Sequence, residues 1–301
     1  MGGSGISLRG VFPPIPTPFD QDGEVHTTAL RQNLRYWNRY ELAGYVVLGS
    51  NGEAVYLSER ERLRVLETAR EEILPDRIMI AGAGSESTRQ TVTLVRQAAK
   101  AGADAVLVST PHYYGARMTR DSLVSHYRSV SDESPIPVLL YNVPKFTHVD
   151  MDAETVALAA RYPGIIGIKD SAGNIAKLAD IIRLCGPGFQ VLAGSAGFFF
   201  AGLVLGAVGG VLALANVAPQ QCVDIYGLAL QGKWDAAAEL QRRMLPVNAA
   251  ITSRYGIAGL KSALDLLGCY GGPVRSPLLG LPPEERRVLR GILVDGGVLA
   301  D

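Results

Sequence analysis

Residues 164–171, Gly-Ile-Ile-Gly-Ile-Lys-Asp-Ser, contain the segment that decides the fold. Every non-glycine position from 165 to 168 is apolar, so the segment lacks the alternation of a strand with one face in water. Strands of parallel sheets, which are covered on both faces, have this solid apolar pattern. The segment therefore predicts a buried parallel strand that ends at Lys169.

Seven further short apolar runs also predict strands, and several of them are solidly apolar. The eight predicted strands are residues 11–16, 45–48, 78–81, 105–108, 136–140, 165–168, 189–192 and 210–213. The segments between them have helical spacing, and Ser58-Glu59-Arg60-Glu61 has the pattern of a helix capping box. Strand starts recur at about the length of one βα unit. We expect an α/β fold, a closed (β/α)₈ TIM barrel, with an open doubly wound sheet as the alternative.

The pattern changes after the eighth strand. Residues 220–230, 234–245, 249–267 and 283–293 all predict helices, and no further strand follows them. We therefore predict a barrel carrying the active site in residues 1–217 and a helical C-terminal extension, packed on the barrel, in residues 218–301. A chain of 301 residues suits this fold, which typically needs about 250.

The charge balance limits the classes of partner. The 29 basic and 29 acidic residues cancel and form no basic run, so neither nucleic acid nor a membrane surface is expected as a partner. The first ten residues, MGGSGISLRG, lack the apolar core of a signal peptide, and we expect a cytoplasmic protein. The four histidines lack metal-ligand spacing, so no metal site is predicted.

Reactive groups of such barrels lie where strands end, so the predicted strand ends are the places to search. Strand two ends at Gly49-Ser50-Asn51-Gly52-Glu53, and strand four ends in a loop that contains Tyr113. Strand five ends at Tyr141, and strand six ends at Lys169-Asp170-Ser171. The barrel therefore brings hydroxyl groups, one amine and small residues to the same mouth.

Lys169 has two interpretations. A lysine at a strand end either reaches the rim and pairs with Asp170, or points into the mouth. In the mouth, partial desolvation favours the neutral amine, which can attack a carbonyl and form a Schiff base. Tyr141 is likewise either a packing residue or a phenol that transfers protons, hydrogen-bonded to Ser50. The turn 49–52 is either only a turn or a carboxylate site built from backbone N–H groups and side chains.

Several motifs in order resemble one enzyme family. They are GSNGE from Gly49, TPHYY from Thr110, YNVP from Tyr141, GIKDS from Gly167 and ALANV from Ala213. With them the chain resembles, over nearly its whole length, the N-acetylneuraminate lyase/dihydrodipicolinate synthase family of pyruvate-dependent class I aldolases. The ordered set is more specific than any single motif.

The resemblance implies a role for each residue. Lys169 would form a Schiff base with a 2-oxo acid, Tyr141 would transfer protons, and Ser50 would link Tyr141 to Tyr113 of a neighbouring subunit. Substrate-binding residues would be Gly49, Asn51, Ser171 and the backbone carbonyl of Leu212, with Ser50 and Asn51 on the pyruvyl carboxylate. Beyond the covalent imine no cofactor would be needed, and the protein would be a homotetramer built as a dimer of dimers.

The second substrate is less clearly indicated. Synthases of this family usually have two threonines at the positions of Ser50 and Asn51, and an arginine at the position of Phe146. Stretches such as FQVLAGSAGF from Phe189 and RYGIAGLK from Arg254 resemble the 4-hydroxy-2-oxoglutarate aldolase branch instead. We therefore expect cleavage of 4-hydroxy-2-oxoglutarate, or a similar acid, to pyruvate and glyoxylate.

Two alternatives remain open. One is a dihydrodipicolinate synthase that condenses pyruvate with aspartate semialdehyde. The other is a catalytically silent barrel with a binding or structural role, against which the presence of Lys169, Tyr141, Tyr113 and Ser50 argues.

Overall fold

The computed structural model of the chain describes residues 5–300; residues 1–4, at the start of the first predicted domain, and residue 301 lie outside the described residues. Eight parallel strands form one sheet in the order β1-β8-β7-β6-β5-β4-β3-β2. The strands are β1 Gly10–Phe12, β2 Gly44–Val47, β3 Ile78–Gly82, β4 Ala105–Ser109, β5 Val138–Asn142, β6 Ile165–Asp170, β7 Gln190–Ala193 and β8 Gly209–Val211.

The sheet closes between its first and second strands. Beyond the end of β1, Ile15 N donates to Val46 O, and Val46 N donates to Pro13 O, both at 3.0 Å. A parallel bridge pairs Pro14 with Val46 at the same place. The predicted (β/α)₈ TIM barrel is confirmed, and the open doubly wound sheet was the wrong alternative.

Helices follow the strands as the sequence predicts. They are α1 Thr27–Trp37, α2 Glu59–Glu72, α3 Thr88–Lys100, α4 Arg120–Glu133, α5 Pro144–Thr147, α6 Ala153–Ala159, α7 Ile175–Cys185 and α8 Phe199–Leu205. The predicted capping box of α2 is complete, because Ser58 accepts from Glu61 N while the Glu61 carboxylate accepts from Ser58 N. This arrangement satisfies N–H groups that the first turn of a helix leaves free.

Four more helices form the C-terminal part of the chain. They are α9 Pro219–Leu230, α10 Trp234–Ala249, α11 Gly256–Leu266 and α12 Pro283–Asp295. The single helix predicted for residues 249–267 was wrong, because a π-helical turn at Ala250–Arg254 separates α10 from α11. Gln241 of α10 ties this part to the barrel by accepting a hydrogen bond from Phe200 N at 3.2 Å. The division of the chain at residue 217 stays a prediction.

The core has two layers. One cluster fills the barrel interior with residues such as Phe12, Val46, Leu107 and Leu139. The larger cluster lies between the strands and the surrounding helices. With both faces of every strand covered, the solid apolar runs of the sequence are explained.

Candidate active site

Lys169 and Tyr141 stand side by side at the ends of neighbouring strands. They are register partners on β6 and β5, and both are buried, with 4% and 7% of their surfaces exposed. Lys169 Nζ lies 4.1 Å from the centre of the Tyr141 ring. The lysine therefore points into the barrel, as the catalytic interpretation requires. The alternative, in which it pairs with Asp170 at the rim, was wrong.

A β-bulge sets this direction. Between Val138 and Leu139 of β5 the register shifts, so that Ile165 and Gly167 of β6 are the consecutive partners and Ile166 is the extra residue. Since successive side chains of a strand alternate between faces, an extra residue reverses the direction of those that follow. The bulge thus places Lys169 on the inner face with Tyr141. No pattern in the sequence indicates the bulge.

Ser50 joins this pair from the end of β2. Its hydroxyl is 3.2 Å from the Tyr141 hydroxyl, as the resemblance implied. Ser50 opens a short 3₁₀ turn, Ser50–Gly52, which follows Gly49. The first N–H groups of such a turn have no partner within it.

Asn51 and Gly49 lie on the same turn. Asn51 Nδ2 is buried and has no hydrogen-bond partner among the described residues. A Cβ on Gly49 would lie 3.3 Å from Val46 Cγ1, so this position has little room for a side chain. The turn therefore presents unused N–H donors of the kind that bind a carboxylate.

Ser171 and Leu212 directly follow the ends of β6 and β8. Ser171 Oγ donates to Gly194 O at 3.4 Å, which ties the end of β6 to the end of β7. The Leu212 side chain is fully buried, and its carbonyl accepts from Ala215 N at 3.0 Å. The structure places both at the C-terminal end of the barrel, where the other candidates lie.

Tyr113 does not reach this group within its own chain. Its side chain is 77% exposed in the loop after β4, and among residues 5–300 its hydroxyl has no hydrogen bond to Ser50. The Glu86 carboxylate holds the loop by accepting from His112 N at 2.9 Å and from Tyr113 N at 2.8 Å. Within the single chain, Tyr113 is therefore separate from the other site residues.

A polar cluster outside the barrel, which sequence reasoning missed, fixes the same two strand ends. Asn142 and Asp170, which follow Tyr141 and Lys169, are register partners and are almost fully buried. Asn142 Nδ2 donates to Asp170 Oδ2 at 2.8 Å, and Lys177 Nζ lies 3.2 Å from the same oxygen. Buried charges are stable only when paired in this way. The signal in the sequence was a polar residue directly after the predicted strand-end residues Tyr141 and Lys169, at positions 142 and 170.

Residues 5–300 contain neither a metal-binding cluster nor a membrane-spanning helix. No group of three or more His, Cys, Asp or Glu side chains within residues 5–300 is arranged to bind a metal ion. None of the helices in this part of the chain combines the length and the apolar character needed to cross a bilayer.

Comparisons with known proteins identify the family. Residues 7–295 match the model of the dihydrodipicolinate synthetase family. The chain is 36% identical over 296 residues to a 4-hydroxy-tetrahydrodipicolinate synthase of Nitrobacter hamburgensis, covering 98% of this chain and 99% of the relative. It is 37% identical to a 4-hydroxy-tetrahydrodipicolinate synthase of Methanothrix thermoacetophila, with 95% and 96% covered.

A solved structure shows the same fold. The chloride-inhibited dihydrodipicolinate synthase of Acinetobacter baumannii, crystallised with pyruvate, superposes with a TM-score of 0.93 at 29% identity, covering 97% of this chain and all (100%) of that one. Both of the named relatives are synthases, and neither is a 4-hydroxy-2-oxoglutarate aldolase, which the sequence led us to expect for this chain. Fold, site residues and similarity along the whole match lead to one conclusion: the chain belongs to the dihydrodipicolinate synthetase family and is an enzyme of the class I aldolase/lyase type.

Proposed function

We propose that Lys169 forms a Schiff base with pyruvate, and that the imine makes or breaks a carbon–carbon bond to an aldehyde. The observation that carries this proposal is the position of the Lys169 amine. Lys169 is 4% exposed, and its amine lies over the ring of Tyr141, whose hydroxyl contacts Ser50 at 3.2 Å. Imine formation requires an amine removed from water and a group that can move protons. Lys169 and the Tyr141 phenol are such a pair.

The chemistry follows from these groups. The neutral amine attacks the keto carbon of pyruvate, and one of its protons passes to the new oxygen. Tyr141 donates a proton to the resulting hydroxyl group, which leaves as water, so that a protonated imine and a phenolate remain. The phenolate takes a proton from the methyl carbon to give an enamine. The enamine attacks the aldehyde carbon while Tyr141 delivers that proton to the aldehyde oxygen. Cleavage runs in reverse, with the protonated imine accepting the electron pair of the breaking bond. The protonated imine thus supplies the electron sink.

The turn after β2 is suited to hold the carboxylate of the 2-oxo acid. The N–H groups of Ser50 and Asn51 begin the turn, and Asn51 Nδ2 is buried without a partner. Donors that are already dehydrated and unpaired gain most from an anion. Gly49, Ser171 and the Leu212 carbonyl complete the proposed substrate-binding set, and no cofactor or metal takes part in it.

The first candidate for the full reaction is condensation of pyruvate with aspartate semialdehyde. The names of the relatives support it, since several are 4-hydroxy-tetrahydrodipicolinate synthases over nearly their whole lengths. Lys145 places a cation on α5, where its Nζ donates to Thr252 O at 3.1 Å. A cation at this place can attract the carboxylate of the aldehyde substrate.

The second candidate is cleavage of 4-hydroxy-2-oxoglutarate to pyruvate and glyoxylate. One observation favours it: Phe146, where the resemblance expects the arginine of a synthase, is apolar and 52% exposed. Without a guanidinium at this position, the bidentate carboxylate clamp is missing. The silent barrel is disfavoured, because it leaves the buried amine and its phenol without a role.

Trapping with borohydride tests the proposal. Protein is incubated with pyruvate and sodium borohydride, and the modified peptide is identified by mass spectrometry. We expect one reduced pyruvyl adduct on Lys169, absent from Lys169→Ala and retained in the control Lys233→Ala, which changes an exposed lysine. An unmodified wild-type protein would contradict the proposal.

Kinetics then separate the two candidates. We expect kcat/KM for aspartate semialdehyde to exceed that for 4-hydroxy-2-oxoglutarate by about tenfold or more, which corresponds to about 1.4 kcal/mol of transition-state binding. The opposite order would make the aldolase the better assignment.

A further inference from the structure

A buried ion pair connects the C-terminal helices to the turn that carries Ser50 and Asn51. Glu53, the last residue of the GSNGE motif, places Oε1 2.5 Å from Nζ of Lys261 on α11. Both side chains are only 1% exposed. Since removing two charges from water is costly, a pair this deep requires close contacts on every side.

Those contacts are present. Glu53 Oε2 accepts from Arg275 N at 2.8 Å, and Lys261 Nζ donates to Pro273 O, also at 2.8 Å. Lys261 Nζ and the Arg275 guanidinium both lie over the ring of Phe19, 4.3 Å and 4.2 Å from its centre. Burial lowers the pKa of Lys261. The proposed chemistry at Lys169 uses none of these groups.

The turn itself needs to be held from outside. Leu48 and Glu53, the residues on either side of Gly49–Gly52, have φ angles of 60° and 52°. Side chains other than glycine rarely adopt this left-handed conformation, because it is strained. Strained residues persist where surrounding contacts fix them, and they concentrate at functional sites. For Glu53 the surrounding contacts are those of Lys261 and Arg275.

A second anchor acts on the same turn. Thr17 Oγ1 donates to Gly52 O at 2.7 Å, one residue before Glu53. The turn is thereby fixed at its end, while Ser50 and Asn51 at its beginning keep their unused donors. Anchoring the end sets where those donors lie relative to Tyr141.

We infer that Glu53 is a positioning residue: through its pair with Lys261 it holds Ser50 and Asn51 in place for the carboxylate of pyruvate and for Tyr141. The inference rests on the proposed function, since it assigns the turn to pyruvate binding. It gives the helical extension a part in catalysis, although no residue of the pair touches the reacting atoms.

The test removes both charges together, so that no buried charge is left alone. Glu53→Gln with Lys261→Met retains the shapes of the side chains, and circular dichroism and thermal unfolding establish that the double variant folds. We expect the pyruvate KM to rise about tenfold, with a smaller fall in kcat, because ground-state binding of pyruvate is the main loss. The control is Asp104→Asn, which weakens a pair with Arg70 at the opposite end of the barrel. It should lower stability and leave the KM unchanged.

A double-mutant cycle distinguishes positioning from general stability. In an Asn51→Ala background, the Glu53→Gln/Lys261→Met change should raise the KM by less than half the factor seen in wild type, because the donor that it positions is already gone. Equal factors in both backgrounds, or an unchanged KM in the folded double variant, would overturn the inference. If wild type forms no borohydride adduct, the proposed function fails; if it forms one and the cycle is additive, only this inference fails.

Discussion

The amine of Lys169 lies 4.1 Å from the centre of the Tyr141 ring, and the hydroxyl of the same tyrosine contacts the Ser50 hydroxyl at 3.2 Å. The two parts of Tyr141 therefore have different roles in the proposed reaction. The ring face attracts a cation, which in the proposed reaction is the protonated imine. The hydroxyl is the group that can exchange a proton with the substrate.

Replacement of Tyr141 by Phe separates these roles. The ring remains and the hydroxyl is lost, so we expect kcat to fall by about 10²- to 10⁴-fold while pyruvate still forms a borohydride-reducible adduct. Steady-state kinetics and mass spectrometry provide the two measurements. The control is Tyr127→Phe, which removes a buried hydroxyl that donates to Val108 O outside the barrel and should leave kcat nearly unchanged. Full activity in Tyr141→Phe would show that another group transfers the proton.

Tyr113 provides a test of assembly. Its 77% exposure, next to Tyr114 at 71%, leaves two large aromatic side chains in water in the single chain. Exposed aromatic patches of this kind mark interaction surfaces. We predict a homotetramer built from dimers, in which Tyr113 of one subunit completes the site of its neighbour. Analytical ultracentrifugation should show the tetramer.

Mixed subunits show whether Tyr113 acts across the interface. Tyr113→Ala and Lys169→Ala should each be nearly inactive alone. After dissociation and reassociation together, hybrid dimers contain one site with both residues intact, so activity should return to about a quarter of the wild-type value, from statistical mixing of two subunit types with equal association. No recovery in verified hybrids would mean that Tyr113 does not serve the neighbouring site.

Phe146 concerns the aldehyde substrate. A guanidinium at this half-exposed position of α5 would provide a bidentate carboxylate clamp. We expect Phe146→Arg to raise kcat/KM for aspartate semialdehyde by about tenfold and to leave the pyruvate KM unchanged. The matched control is Leu279→Arg, at a residue that is 85% exposed and lies outside the proposed site. Equal effects of the two variants would mean that α5 does not approach the aldehyde.

The sequence predicted the strands well because each depends on a local pattern. Short apolar runs located all eight strands, and the capping box at Ser58 located the start of α2 to the residue. The contact of Ser50 with Tyr141 joins strand ends that are far apart in the chain, so no local pattern shows it. The resemblance to the family implied this contact. Short-range patterns suffice wherever the structure is set by neighbouring residues.

The remaining features depend on contacts between distant residues. The bulge at Ile166 that turns Lys169 inward is a property of the pairing between β5 and β6, and neither strand shows it alone. Glu53 and Lys261 are 208 positions apart, and their pair appears only when α11 packs against the turn after β2. The same holds for the π-helical turn at Ala250–Arg254, where an apparently continuous helical pattern is interrupted. Tertiary packing decides such features.

His126 on α4 gives a prediction for stability. The side chain is 6% exposed, Nδ1 is 2.9 Å from Thr88 Oγ1, and Nε2 is buried without a partner among the described residues. Burial lowers the pKa of His126 to about 4. In the unfolded chain a histidine has a pKa of about 6.5. Between these values the unfolded chain binds a proton that the folded protein does not.

The sign follows from this difference. The contribution of the neutral imidazole is complete above about pH 6.5 and is lost as the pH falls toward about 4, so the His126 contribution to the free energy of unfolding should decrease by about 2 to 3 kcal/mol between about pH 7.5 and 4.5. Glu61 affects the free energy of unfolding at lower pH, since its hydrogen bond with Arg275 holds its pKa at about 2.

Urea unfolding of wild type and His126→Gln at both pH values measures the effect. Carboxylates titrate alike in both proteins, so the difference between them isolates His126. The advantage of wild type over the variant should shrink by about this amount in acid; a constant difference would mean that the imidazole gains a proton in the folded state as readily as in water.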